Sequence, residues 1–424
     1  MPKQQQPDDL YPVAGGGILD RRVFMKQSAA LGLSAFVSST ASAAGEIERP
    51  AWMLKPGAPF SNYGQPSPFE KGVIRWVANN PGAPGNGISW TPLQKLAGTI
   101  TPSGLHFERH HNGVPQIDPA QHRLLIHGLV KTPLFFNLER LYRYPMVSRT
   151  CFLECGGNSN AGWHEEPMQA PLGNVHGLVS CSEWTGVPLA VLLEECGIDG
   201  KALWMVAEGA DAAAMNVSVP LAKAMDDAII AIYQNGEHLR PENGYPMRLL
   251  LPGWEGVTNV KWLRSLEVTD RPVMARNETA KYTELQPDGK ARQFTFVMEA
   301  KSLITHPSPG LKMQEPGLYP VTGLAWSGRG KIKRVEVSAD GGKTWADAEL
   351  QEPVLSCSFT RFRIPWQWNG SPALLKSRAT DESGYVQPER SRLIAERGNN
   401  GYFHFNGIIC WAVSPAGEIS HVYA

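Results

Sequence analysis

At Thr305-His-Pro-Ser-Pro-Gly310 the chain changes its pattern, and that change limits the folds open to it. Between about 95 and 285, short apolar stretches at 123–129, 147–153, 203–207 and 229–233 alternate with helical patches such as 189–196. Such a mixture predicts an α+β domain on an irregular mixed sheet. Beyond the proline-rich run, strand and turn signals follow at close spacing. The stretches 333–338 and 344–345 flank Ala339-Asp-Gly-Gly-Lys343, whose glycines supply the positive φ of a tight hairpin. With 358–364 and 374–379 they predict an all-β, immunoglobulin-like antiparallel sandwich.

The same hairpin reads Ser338-x-Asp-x-Gly-x-Thr-Trp345, the Asp-box pattern of sialidase-type propellers. A propeller repeats its motif in successive blades, and one copy is present, so the reading is a structural hairpin. Residues 44–94, rich in Pro, Gly, Asn and Ser, read as an extended arm. The domains are then 95–298 and 299–424.

The first 43 residues read as a leader. Asp20-Arg-Arg-Val-Phe-Met-Lys26 is a twin-arginine signature, followed by a short apolar stretch at 29–37 and by Ala41-Ser-Ala43, a suitable cleavage site. Twin-arginine export carries folded proteins, commonly ones loaded with a cofactor, so a periplasmic cofactor protein is expected.

The chain holds 40 basic and 40 acidic residues; without residues 1–43 the balance becomes 36 to 37. A near-neutral protein lacks the basic face that nucleic acid or an anionic membrane requires. No apolar run reaches membrane-spanning length. There are six cysteines and no Cys-x-x-Cys-His, so no c-type haem is attached to this chain.

Cys155, in Arg149-Thr-Cys-Phe-Leu-Glu-Cys-Gly-Gly-Asn-Ser-Asn160, is delivered by a short strand into a turn with little side-chain bulk. Cys151 lies four residues earlier, about 13 Å along a strand at ~3.3 Å per residue. A disulfide needs Cα atoms within roughly 7 Å, so Cys155 is free to act as a thiolate. The other five cysteines are expected to be buried core thiols.

Phe107-Glu-Arg-His-His-Asn-Gly-Val-Pro115 sets a cation and two imidazoles beside a turn. Neighbouring His residues on a strand face opposite ways and rarely share an ion, which leaves solvated polarity and a binding site both open. Asn243-Gly-Tyr-Pro-Met-Arg248 and Gly256-Val-Thr-Asn-Val-Lys-Trp262 place two cations near glycine-rich backbone, as a phosphate requires; ordinary solvated loops are the alternative.

In order, Arg-x-His, Cys-Gly-Gly-Asn, Asn-Gly-x-Pro-x-Arg, Val-Lys-Trp-Leu, Tyr282 and Ala325-Trp-Ser-Gly-Arg-Gly330 resemble the sulfite oxidase family of molybdenum enzymes. The likeness spans about 95–424. It implies a molybdopterin domain of sulfite oxidase fold, a dimerising sandwich and a molybdenum–molybdopterin cofactor. The leader, the Glu154-Cys-Gly-Gly-Asn-Ser159 form and the missing haem domain resemble those members that oxidise sulfane sulfur during thiosulfate oxidation.

The resemblance also implies roles. Cys155 is the thiolate on the metal, a soft ligand suited to a metal cycling between Mo(VI) and Mo(IV). Arg109 stands by the substrate oxyanion, and Tyr282 donates a hydrogen bond at the metal. Arg109, His110, His111, Asp211, Asn243 and Asn259 contact the pterin, while Arg248 and Lys261 hold its phosphate. Asn243 stands where relatives often have His. Ser159 and Asn160 stand where sulfite-oxidising relatives often have arginines, and Ile409-Cys-Trp411 replaces a further one. Fewer cations weaken capture of a free dianion and favour sulfane sulfur delivered on a carrier-protein cysteine. Electrons then leave to a separate c-type cytochrome, and a homodimer within a hetero-oligomer is implied. A periplasmic sulfite dehydrogenase acting on free sulfite is one alternative; a cofactor-free scaffold or binding subunit is another.

Overall fold

Strands carry most of the architecture, and the computed structural model describes them over residues 12–20, 50–56, 58–59, 61–398 and 401–424. Among these residues the α+β region holds two five-stranded sheets. One runs Asn216–Pro220, Trp204–Gly209, Leu263–Thr269, Leu124–Gly128, Leu134–Phe136, with a single parallel pairing between the third and fourth. The other runs Glu237–His238, Ile229–Gln234, Val179–Pro188, Val147–Glu154, with Arg248–Leu250 beside Ile229–Gln234. The Leu189–Cys196 helix falls where the sequence predicts it and buries Leu189, Leu192, Leu193 and Cys196 in an apolar core to which both sheets contribute. That 3.6-residue spacing turns one apolar stripe inward.

The arm is less extended than expected. Trp76–Asn79 and Gly87–Trp90 pair with each other, and Gly87–Trp90 pairs with Glu108–His110, forming a small sheet over the cleft described below. Trp52, Leu54, Phe69 and Ile74 project outward from it.

The C-terminal region is a two-sheet sandwich. Lys301–His306, Gly317–Trp326 and Thr360–Trp368 lie in one sheet; Ile332–Ser338, Ala373–Asp381, Cys410–Val413 and Ile419–Val422 lie in the other. The proline-rich run ends the sandwich strand Lys301–His306, because proline has no N–H to donate to the ladder. Trp326, Trp366 and Trp411 are fully buried, and each indole N–H has an acceptor: Glu154 Oε2 at 2.6 Å, Gly16 O at 2.7 Å and Ile304 O at 3.0 Å. A buried indole needs such a partner. Phe152, Val179 and Cys181 share this core, so the strand leading to Cys155 rests on the sandwich.

Residues 12–20 also belong to this sheet. Ile18–Leu19 pairs with Thr360–Trp368, and both apolar side chains are buried. The Asp340 hairpin supports them: Asp340 accepts from the Lys343 and Thr344 amides, and Gly15 N–H donates to Thr344 Oγ1 at 2.6 Å. A Cβ on Gly17 would stand 2.2 Å from Gln367 O. The Arg21-Arg22 pair and residues 29–43 lie outside the described residues. No helix among the described residues is long and apolar enough to cross a membrane.

Candidate active site

Cys155 stands where the strand Val147–Glu154 runs out. Glu154 still pairs with Val179; one residue on, Cys155 N–H donates to Leu178 O at 2.9 Å, and Asn158 N–H returns to Cys155 O at 2.9 Å, closing the turn. Burial pushes the thiol pKa up to about 11, with the Gly157 N–H opposing and the Glu255 carboxylate adding. A bound cation reverses this, since a coordinating thiol is deprotonated outright. All six cysteines are free; Cys151, Cys181, Cys196 and Cys410 are buried as expected, whereas Cys357 is only half-buried.

Two connected hollows meet at the thiol. The inner cleft is lined by Arg109, His110, His111, Cys155, Asp211, Asn243, Arg248, Asn259, Lys261 and Tyr282. The structure thus brings every predicted site residue to one place.

At its deep end Arg248 donates to Asn243 O at 2.9 Å and Asn259 O at 2.8 Å, while its Nε is buried without a partner. Burial presses its pKa down to about 9. Lys261 is pressed well below the usual lysine range by burial and then by Arg248. A buried guanidinium with an orphaned donor and a half-buried ammonium that discourage each other's charge fit an anion such as a phosphate. Lys261 Nζ lies 2.8 Å from His110 Nδ1, and His110 Nε2 lies 2.5 Å from Glu108 Oε2, which ties the His110 ring into this end.

The remaining residues divide by what their polar atoms already do. Asp211 Oδ1 accepts from Met215 N–H at 3.1 Å and faces the cleft. Asn243 spends its amide donors on Gln234 Oε1 and Ser103 O. Asn259 accepts from Leu251 N–H at 2.7 Å and donates to Glu255 O at 3.0 Å, so its amide braces the surrounding loop. His111 is left neutral by burial, its pKa lowered to about 4. Burial raises the Tyr282 hydroxyl above the ordinary tyrosine range, keeping it a donor.

The outer hollow is a funnel that reaches Cys155, Arg109, His111 and Tyr282 from solvent. Trp76, Trp90, Tyr402 and Phe403 form aromatic walls; Arg276 and Lys281 add cations. Asn160 faces it, but Ser159 does not. Ser159 has φ of 62°, and its hydroxyl turns inward to Lys301 Nζ at 2.7 Å and His176 Nδ1 at 2.8 Å. Ile409, Cys410 and Trp411 are buried in the sandwich. Neither replacement position except Asn160 therefore borders the funnel, and three cations do, which corrects the inference of a cation-poor entrance.

Sequence reasoning missed the residues behind the thiol. Glu154 pairs with the fully buried Lys301 at 3.0 Å and accepts from Asn158 Nδ2 at 2.9 Å. Its signal was present: a carboxylate in a buried strand must find a cation. His404, Glu255 and Glu284 carried no local signal. Ser159, Trp262, Tyr282 and His404 all have φ between 53° and 62°, a region costly to residues with a Cβ. Such residues gather at functional sites.

Residues 111–277 match the oxidoreductase molybdopterin binding domain, and 292–409 match the Mo-co oxidoreductase dimerisation domain. Mitochondrial sulfite oxidase of Mus musculus is 32% identical over 318 residues, 69% of this chain and 58% of that protein. The NADH nitrate reductase of Solanum lycopersicum is 31% identical over 70% of this chain and 37% of its own length. The chain thus spans only part of these curated relatives. The crystal structure of the sulfane dehydrogenase SoxCD from Paracoccus pantotrophus superposes with a TM-score of 0.86 at 44% identity, covering 89% of this chain and 98% of that one. A molybdenum–molybdopterin cofactor accordingly fits the cleft with its soft thiol and cations, and the chain belongs to the sulfite oxidase family of molybdopterin oxidoreductases.

Proposed function

We propose that this protein oxidises sulfane sulfur held on a carrier-protein cysteine and passes the electrons to a separate c-type cytochrome. The observation that carries this reading is the wide aromatic funnel opening onto Cys155 and Tyr282, together with the likeness to the sulfane dehydrogenase. A funnel walled by Trp76, Trp90, Tyr402 and Phe403 suits an extended peptide arm better than a small ion, because aromatic faces reward apolar and backbone contact.

When bound, the cofactor supplies the two-electron exchange and the oxygen-transfer chemistry. The chain supplies the rest. Cys155 would give the metal its protein thiolate. Arg248 and Lys261 hold the pterin phosphate, while His110, His111 and Asp211 flank the pterin with Asn243 and Asn259 bracing its loops. Arg109 orients the sulfur oxyanion by charge-assisted hydrogen bonds. Tyr282, kept protonated by burial, would offer its hydroxyl hydrogen to the group held at Cys155. Each oxygen transferred comes from water and releases two protons and two electrons.

Export by the twin-arginine route to the periplasm, with residues 1–43 as leader, and homodimerisation through the sandwich belong to the same reading. Arg109, Arg276 and Lys281 on the funnel wall favour a second reading, a dehydrogenase acting on free sulfite, since a dianion is held by such cations. Assays with a cytochrome acceptor separate them: the proposal expects turnover of a persulfidated carrier to exceed that of free sulfite, and the reverse order refutes it. Replacing Cys155 by Ser should abolish turnover. A purified protein without molybdenum would support the scaffold alternative.

A further inference from the structure

Behind the Cys155 turn, away from the funnel, lies a buried charged cluster that none of the steps above employs. His404 Nδ1 is 2.5 Å from Glu284 Oε1, and its Nε2 is 3.3 Å from Glu255 Oε1. All three side chains are buried, and Arg397 approaches Glu284 at 3.6 Å. They come from three distant stretches. Glu255 precedes the Gly256–Thr258 turn, Glu284 follows Tyr282 by two residues, and His404 lies beyond the Arg390–Arg397 helix of the sandwich region.

Each member bears on the reacting groups. His404 N–H donates to Gly156 O at 2.7 Å, beside the thiol. Its neighbour Phe403 stacks on Tyr282 with ring centres 4.9 Å apart. A Cβ on Gly156 would stand 1.9 Å from Glu255 Oε1 and 3.2 Å from His404 Nε2, so this cluster is what requires glycine after Cys155. His404 has φ of 56°, a backbone conformation that persists only where the surroundings over-determine it. Burial opposes a charge on the imidazole, but Glu255 and Glu284 outweigh it and lift the pKa to about 10. The cation keeps the two carboxylates from repelling each other in a medium of low dielectric.

We propose that His404, hydrogen-bonded to Glu284 and faced by the Glu255 carboxylate, is a positioning residue for the reaction: it fixes the direction in which Cys155 presents its sulfur and the place of the Tyr282 hydroxyl. This rests on the molybdenum reading above. Groups that orient a ligand from behind typically change metal affinity or activity by about 10–100-fold when altered.

The test compares purified, molybdenum-loaded full chain as wild type, His404→Gln and Glu284→Gln. Both variants should keep wild-type molybdenum content and lose about 10–100-fold in kcat with KM within about twofold. Their Mo(V) electron paramagnetic resonance spectra should shift, because the signal responds to how the thiolate points at the metal. Glu284→Gln keeps the imidazole and carries the test if His404→Gln fails to fold. Gly156→Ala, which leaves all three side chains in place but intrudes on Glu255, should give a shift of its own. Unchanged kcat and spectrum with a lower unfolding midpoint would mean a purely structural role and overturn the proposal. So would variants that fold but contain no molybdenum, which would assign the cluster to loading. A wild-type protein lacking molybdenum sinks the functional reading itself, and is told apart because it involves no variant.

Discussion

Replacing Lys301 by Met tests whether the sandwich holds the Cys155 turn in place. Lys301 and Glu154 are each 1% exposed, and their charged atoms are 3.0 Å apart. At an effective dielectric of about 20 their attraction is about 5 kcal/mol, and removing one member of a buried pair typically costs about 3–5 kcal/mol. Glu154 would still accept from Trp326 Nε1 at 2.6 Å and Asn158 Nδ2 at 2.9 Å, so the expected cost lies near the low end, about 3 kcal/mol. Glu154→Gln should cost more, because the buried Lys301 ammonium loses its charged partner and a single amide oxygen cannot serve both Lys301 and Trp326. The double variant should cost about 0.5–3 kcal/mol less than the sum of the two. Native-state hydrogen exchange at the Cys155 and Asn158 amides, both bonded in the turn, reads the local opening free energy. Protection within about 0.5 kcal/mol of wild type in Lys301→Met would refute the reasoning, since a surface-like substitution has that size.

Arg248→Gln or Lys261→Gln should lower bound pterin and molybdenum together by about 10–100-fold at fixed protein concentration, read by elemental analysis and pterin fluorescence. The His404 cation should make stability depend on pH: its raised pKa gives a contribution fully present below about 6.5 and lost as pH rises toward about 10. Denaturation midpoints across that range should fall in wild type and fall less in His404→Gln. In the full chain with the leader still attached, Ile18→Asp should undock residues 12–20, removing the burial of a side chain worth about 1.5–3 kcal/mol and exposing the amides of Thr360–Trp368 to faster exchange.

The parts of the molecule written in local periodicity were legible in the sequence. The Leu189–Cys196 helix, the strand into Cys155 and the Asp340 hairpin each depend on residues within a few positions of one another. The cleft residues were legible for another reason: their order matched a family, and the structure brings them all to one hollow. What stayed hidden was set by long-range pairing. Lys301 meets Glu154 across 147 positions and His404 meets Glu284 across 120, so neither partner shows in the other's neighbourhood. Ser159 misled for a local reason of a different kind. Its left-handed backbone swings the side chain off the funnel, and nothing in Cys-Gly-Gly-Asn-Ser-Asn announces that turn.

The strand at the start of the chain has a consequence in time. Trp366 bonds Gly16 O across 350 positions of sequence. At 5–20 residues per second, roughly 20–70 seconds of synthesis separate the two. Throughout that interval Ile18 and Leu19 have no sheet edge to join, because Thr360–Trp368 does not yet exist. Residues 12–20 therefore emerge before their partner strand and are placed only after it. Their docking is a clock that stops only when the final sheet is complete.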